Sequence, residues 1–209
     1  MKIAREGYLF VFGAGILFVT AWVNGWLVLA GVFGVLTIGF LVFFRDPERH
    51  PPKGEGLIVS PADGTVVNIV KVAMGPLIRD AETRVSIFLS PLDVHINRAP
   101  VAGSVDDVNY ERGKFFAAYK EKASERNEQN ALRMVDSQGR QLSVVQIAGV
   151  LARRIVCRAK KGDFLERGAR FGMIMFGSRT DLYLPRGSLI EVAEGQRVKG
   201  GETVIGRFV

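Results

Sequence analysis

Near the end of this chain a polar residue interrupts what should be a buried strand. The apolar run 171–175 leads into Phe176-Gly177-Ser178-Arg179 and then Thr180-Asp181-Leu182-Tyr183-Leu184-Pro185. Burying a hydroxyl is costly, so Ser178 needs a reason to be there. A serine acts as a nucleophile when a base lies beside it. The chain has two histidines, and His50 falls in a proline-rich stretch. His95 is then the plausible side-chain base, with an ordinary pKa near neutrality. It lies in Leu89-Ser90-Pro91-Leu92-Asp93-Val94-His95-Ile96-Asn97-Arg98-Ala99-Pro100. Ser90, followed by proline and by an acid three positions on, resembles a helix N-cap, which puts His95 on a short turn. A third stretch is Ser60-Pro61-Ala62-Asp63-Gly64-Thr65-Val66-Val67. Asp before Gly ordinarily shapes a turn; its carboxylate could instead orient a base. The fourth is Asn127-Glu128-Gln129-Asn130, after the basic and aromatic stretch 113–126. It reads either as solvated surface or as a flap facing substrate or membrane.

The elements that must position these residues are mostly strands. Segments 57–60, 64–72, 84–89, 103–108, 132–135, 142–147, 155–159, 171–176, 181–184, 189–192 and 204–208 are rich in Val, Ile and Leu and bounded by Gly, Pro, Asp and Asn. Only 115–130 shows helical spacing, through Phe115, Phe116 and Tyr119. The pattern predicts a mainly antiparallel β domain. Lys160-Lys161-Gly162-Asp163-Phe164-Leu165-Glu166-Arg167-Gly168 also resembles Ala193-Glu194-Gly195-Gln196-Arg197-Val198-Lys199-Gly200-Gly201. Such turns are similar to those of biotinyl and lipoyl carrier domains. The expected architecture is a barrel-sandwich-hybrid-like, mainly β fold with an N-terminal hydrophobic helical hairpin.

That hairpin comes from residues 8–44, which hold no charged side chain. Asn24-Gly25 is a strong turn dipeptide and splits the stretch into 8–23 and 26–44. The first piece spans about 24 Å as a helix, short of a bilayer core of about 30 Å. Full crossing and a dip into one leaflet both stay open. Either way both ends emerge on one side, flanked by Lys2 and Arg5 and by Arg45, Arg49 and Lys53. The positive-inside rule makes that side the cytoplasm, so the expected location is the cytoplasmic face of the cell membrane. The expected organisation is a membrane-associated hairpin at 1–44, a linker at 45–52 and a catalytic β domain at 53–209.

Composition narrows the partners. The net charge is +7, and nearly all of it lies beyond residue 44. A basic domain beside an apolar segment points to anionic lipid. No basic stripe with stacking aromatics suggests nucleic acid, so none is expected. One cysteine, Cys157, permits no disulfide within the chain, and no Cys/His cluster has zinc spacing, so no metal is expected.

Taken in order, S-P-A-D-G, L-S-P-x-D-V-H-x-N-R, N-E-x-N and F-G-S-R make the chain resemble the phosphatidylserine decarboxylase family from about Arg45 onward, particularly its short bacterial and archaeal-type members. The resemblance implies a lyase made as a zymogen. Ser178 would attack Gly177, and autocatalytic cleavage between them would give a large chain, 1–177, and a small one, 178–209, that stay associated. Ser178 would become a covalent pyruvoyl cofactor, which forms a Schiff base with the serine headgroup of a phospholipid and releases carbon dioxide. The resemblance assigns Ser178, His95 and Asp63 to catalysis. Arg98, Arg179 and Asn127 are the candidates for binding substrate. Two positions depart from the family pattern: Arg98 stands where many members have a second histidine, and Arg179 follows the serine where many have threonine. Homo-oligomer formation stays open. Competing readings are a membrane-anchored biotinyl-like carrier, against which Met173-Ile174-Met175 lacks a lysine, and a membrane-anchored serine hydrolase, which would keep Ser178 intact.

Overall fold

The structure is a computed structural model, and it describes residues 2–114, 127–149, 154–175 and 178–209. The chain forms two compact units, Met1–Glu48 and Arg49–Val209.

In the first unit, β1 (Lys2–Ile3) pairs antiparallel with β2 (Arg45–Asp46) and closes the base of a helix pair. The helices are α1 (Tyr8–Val23) and α2 (Leu27–Phe43). Neither has a charged residue, and large apolar side chains face outward along both, among them Leu9, Phe12, Ile16, Val28 and Val35. Asn24 and Gly25 make the turn, with Gly25 at φ 72°. The span Arg5–Val23 is long and apolar enough to cross a membrane; α2 is shorter.

The second unit is built of strands. In chain order they are β3 (Leu57–Val59), β4 (Gly64–Lys71), β5 (Ala81–Leu89), β6 (Ile96–Arg98), β7 (Gly103–Glu111), β8 (Gln129–Val135), β9 (Gln141–Ile147), β10 (Arg154–Cys157), β11 (Phe164–Leu165), β12 (Arg170–Met175), β13 (Ser178–Pro185), β14 (Ser188–Ile190), β15 (Arg197–Val198) and β16 (Val204–Phe208). Eight of them form a curled antiparallel sheet in the order β11-β7-β8-β9-β13-β5-β4-β15. Two three-stranded sheets, β10-β12-β6 and β14-β16-β3, complete the unit. The mainly β fold with an N-terminal helix pair is the one the sequence predicts.

Side chains alternate across a strand, and here both faces of the central strands are buried. On β9, Leu142 and Val144 enter the main core while Val145 and Ile147 join a second cluster on the other face. On β13, Leu182 and Leu184 face the main core and Tyr183 the second cluster. This explains the near-continuous apolar runs of these strands.

The two similar turns seen in the sequence are equivalent in structure. Gly162 donates to Val105 O and Val105 to Asp163 O, both at 2.8 Å. Gly195 donates to Val66 O at 2.7 Å and Val66 to Gln196 O at 2.9 Å. Gly168 then bonds Ala99 O, and Gly201 bonds Ser60 O, each at 2.8 Å. Both closing glycines have φ 79°, a conformation costly for other residues. The equivalence extends to a second pair not read from the sequence, Ser60-Pro61-Ala62-Asp63-Gly64-Thr65-Val66 and Ala99-Pro100-Val101-Ala102-Gly103-Ser104-Val105. These two segments cross-link reciprocally, Val59 N–H to Pro100 O and Arg98 N–H to Pro61 O, both at 2.9 Å.

The helical expectation for 115–130 falls mainly on residues 115–126, which lie outside those described. Its last residues are extended: Gln129 and Asn130 open β8 and pair with Ile147 and Gln146. Cross-strand pairing overrides their weak local preference.

Candidate functional site

Ser178 begins β13, a strand buried along its whole length. Its neighbour across β5 is Leu89. The Ser178 hydroxyl is buried and has no hydrogen-bond partner among the described residues. An unpartnered buried hydroxyl costs about 1–3 kcal/mol; Ser86 on β5 and Ser143 on β9 share that state, and Ser178 differs from them in heading its strand. Gly177 and Phe176 lie outside the described residues.

The chain that follows Leu89 turns at Ser90 and delivers His95 just ahead of β6. The Ser90 N–H donates to Asp93 Oδ2 at 2.8 Å, and the Asp93 N–H donates to Ser90 O at 2.9 Å. That reciprocal pair is the capping pattern expected from the sequence, here closing a turn with no helix behind it. Asp93 is also ion-paired with Arg197. Burial works to raise the Asp93 pKa, but the Arg197 guanidinium and the Ser90 amide prevail and hold its carboxyl below the usual range. His95 is fully buried. Its Nδ1 lies 2.9 Å from Asp93 O. A carbonyl only accepts, so Nδ1 carries the proton of the neutral ring and Nε2 the basic lone pair. The His95 carbonyl accepts from Ile174 N–H at 3.3 Å, four residues ahead of Ser178. His95 is thus flanked by the strand leading toward Ser178 and by the turn leaving its partner Leu89.

Asp63 is held at both oxygens. Gly200 N–H donates to Oδ1 at 2.7 Å, and Arg49 Nη2 donates to Oδ2 at 2.7 Å. Arg49 Nη1 also pairs with Glu202 at 2.9 Å. The loop carrying Asp63 touches β6, because Pro61 O accepts the Arg98 N–H at 2.9 Å and Asn97 Nδ2 at 3.5 Å.

The other residues singled out in the sequence are spread over the same end of the sheet. Arg98 is buried and donates from Nη1 to Gly168 O at 2.9 Å. Arg179 is buried on the face of β13 opposite to Ser178, with Nη2 3.0 Å from Asp181 Oδ2 and Nε 2.9 Å from Oδ1. Asn127 is buried and donates to Ala148 O at 2.7 Å.

Sequence reasoning did not single out a buried amide chain that reaches this end. Asn130 Nδ2 donates to Gln146 Oε1 at 3.1 Å, and Gln146 Nε2 to Asn97 Oδ1 at 2.9 Å. Asn97 Nδ2 then donates to Thr180 Oγ1 at 3.0 Å. Thr180 shares the Ser178 face of β13. The signal was available, because Gln146 breaks the run Val144-Val145-Gln146-Ile147 just as Ser178 breaks its own. A cavity of about 790 Å³ bordered by Arg79, Arg186 and Pro185 opens at the other end of β13. Seven residues of strand, about 23 Å, separate it from Ser178, too far to serve the same chemistry.

A buried serine thus heads a central strand, and a histidine with one fixed tautomer lies beside the strand before it. Comparison with known proteins gives the family. A family model described as phosphatidylserine decarboxylase matches residues 36–206. A phosphatidylserine decarboxylase proenzyme of Granulibacter bethesdensis is 50% identical over 196 residues, covering 92% of this chain and 80% of that protein. Proteins of the same name from Citrifermentans bemidjiense and Desulfotalea psychrophila are 47% and 39% identical, covering 98% and 100% of this chain and 95% and 98% of their own lengths. The chain belongs to the phosphatidylserine decarboxylase family, whose members are carboxy-lyases.

Proposed function

We propose that this chain is a proenzyme that cuts itself between Gly177 and Ser178 and then decarboxylates phosphatidylserine to phosphatidylethanolamine. The observation that carries the reading is the buried Ser178 hydroxyl, without a partner among the described residues, at the head of a fully buried strand. In the cutting reaction Ser178 Oγ attacks the Gly177 carbonyl carbon, and the amide becomes an ester as the Ser178 nitrogen leaves. His95, through Nε2, takes the proton of the attacking hydroxyl. Removal of the Ser178 α-proton then expels Gly177 as a carboxylate, breaking Cβ–Oγ. The dehydroalanine left at residue 178 takes up water and loses ammonia to become a pyruvoyl group. That group supplies an electron-withdrawing carbonyl for the headgroup amine, which draws off the electron pair left as carbon dioxide departs.

Asp63 acts as the positioning carboxylate. It holds Arg49 and the Gly200 amide, and its loop is bonded to β6 directly after His95. Its equivalent in the second half of the fold is Ala102, so the turn itself does not need an acid. After cutting, residues 178–209 would stay bound, because β13 lies between β5 and β9 within the eight-stranded sheet. The apolar helix pair anchors the enzyme to the membrane holding its substrate, and the flanking Lys2, Arg5 and Arg45 put the enzyme on the cytoplasmic face.

Ser178→Ala tests the reading. Purified from cells, this variant should run as one full-length chain and release no carbon dioxide from phosphatidylserine vesicles, while the unaltered protein yields two fragments and phosphatidylethanolamine. Activity in an uncut Ser178→Ala chain would end the proposal.

A further inference from the structure

Both tryptophans of the chain, Trp22 and Trp26, flank the Asn24-Gly25 turn at the tip of the helix pair. Their side chains are exposed, 62% and 56%. From this arrangement we infer that the helix pair crosses the whole bilayer and sets its tip in the opposite headgroup layer. The inference rests on the helix pair being a membrane anchor, and it fixes the depth and direction of insertion.

Three placements are open to an apolar hairpin, and the structure separates them. Lying flat in one interface requires a polar face on each helix. Neither helix has one: apolar residues ring both, and no charge occurs in either. Dipping halfway would bring the tip to the bilayer midplane. The tip is poorly made for that. Helix α2 starts without a side-chain cap; the Trp26 and Leu27 amides bond Ala21 O and Gly25 O across the turn, but those of Val28 and Leu29 have no backbone partner among the described residues. At the end of α1 the turn amides satisfy the Thr20, Ala21 and Trp22 carbonyls, and the Asn24 side chain adds a bond to Thr20 O at 2.8 Å, but the Val23 and Asn24 carbonyls have no backbone partner among the described residues. Unsatisfied backbone groups in hydrocarbon cost several kcal/mol each, whereas the headgroup layer supplies water. Two indole N–H groups add to that demand, and tryptophan concentrates at membrane interfaces.

Full crossing meets all of these constraints. The span Arg5–Val23 has 19 residues, and α2 has 17, about 26 Å. The first span is about 28 Å long, and both lengths stand against a hydrocarbon core of about 30 Å that shorter spans meet by slight local thinning. The base then lies in the near interface, where Arg45 Nη1 donates to Val42 O and Lys2 pairs with Glu48, both at 2.6 Å. Inside the core the polar side chain of Thr37 is already satisfied, donating to Phe33 O at 2.7 Å.

Because no other tryptophan exists in the chain, its intrinsic fluorescence reports the tip alone. The test reconstitutes the full protein in phosphatidylethanolamine–phosphatidylglycerol vesicles and selects those whose β unit is open to external protease. Iodide trapped inside the vesicles should quench the emission, and iodide added outside should leave it nearly unchanged. Lipids brominated close to the headgroup should quench more strongly than lipids brominated near the chain ends. Quenching by external iodide would mean a flat hairpin, and stronger quenching by the chain-end bromines would mean a half-inserted one; either overturns the inference. Protein that fails to float with vesicles at all overturns the anchor itself, while decarboxylase activity in detergent micelles is measured separately.

Discussion

The two equivalent halves of the β unit share a backbone but not their charges. One half combines the Ser60–Val66 segment with the turn at 193–201; the other combines Ala99–Val105 with 160–168. Both make the same turns, the same amide bonds and the same glycine closures. Three of the differing positions bear on the candidate site. Asp63 stands against Ala102, Arg197 against Phe164 and Glu202 against Ala169. Each charged member makes a bond toward the candidate site: Asp63 and Glu202 to Arg49, and Arg197 to Asp93 in the turn that carries His95. What the halves share is required by the fold, and what they do not share is available for chemistry.

The comparison can be broken or sharpened by substitution, and the largest effect is expected at His95. His95→Ala should slow self-cutting or turnover by about 10²–10⁴-fold, the usual worth of a positioned base. His95→Gln, which retains a side chain of similar reach, should rescue folding but not the rate. Wild-type rates in both would remove His95 from the chemistry. Next comes the pair Asp63 and Ala102. Asp63→Ala should lower the rate of cutting or turnover at least tenfold while costing stability only about 1–3 kcal/mol, measured by urea unfolding. Ala102→Asp should leave both rates unchanged, since Ala102 is exposed. Equal effects at the two positions would mean that the asymmetry carries no function.

A smaller and symmetric effect is expected at the closing glycines. Gly168→Ala and Gly201→Ala each force a side chain into the left-handed region, at about 1–2 kcal/mol. Each added Cβ also meets a neighbour, Pro51 Cγ at 2.4 Å or Arg98 Cδ at 2.9 Å. Both variants should lose thermal stability to a similar degree, read by calorimetry. The smallest effect follows from Asp93. Its carboxyl titrates below the ordinary range when folded, so its pairing stabilises the fold above the unfolded carboxylate pKa of about 4 and is lost as pH falls through the lower folded value. Arg197→Ala should flatten that acid limb of the stability profile while leaving stability at pH 7 nearly unchanged, because the arginine is largely exposed.

Much of this was legible in the sequence because it is local. The helix pair follows from an uncharged stretch broken by Asn-Gly, and the strands from short β-branched runs between turn residues. Ser178, Gln146 and His95 stand out as polar residues in apolar surroundings. What stayed hidden depends on contacts between distant segments. The Ser60 and Ala99 segments share only a proline, a glycine, a valine and a hydroxyl residue, too little to signal equivalence without their reciprocal hydrogen bonds. The amide chain from Asn130 to Thr180 joins four strands, so no window of sequence contains it. Residues 127–130 misled because their strand character comes from partners across the sheet.

The central claim is that residue 178 ceases to be serine. The most direct measurement is the intact mass of the purified, denatured protein. The account predicts two chains, one ending at Gly177 and one spanning 178–209, the latter lighter than its serine-started equivalent by one ammonia and resistant to Edman degradation. A single unbroken chain that nonetheless converts phosphatidylserine to phosphatidylethanolamine would contradict it.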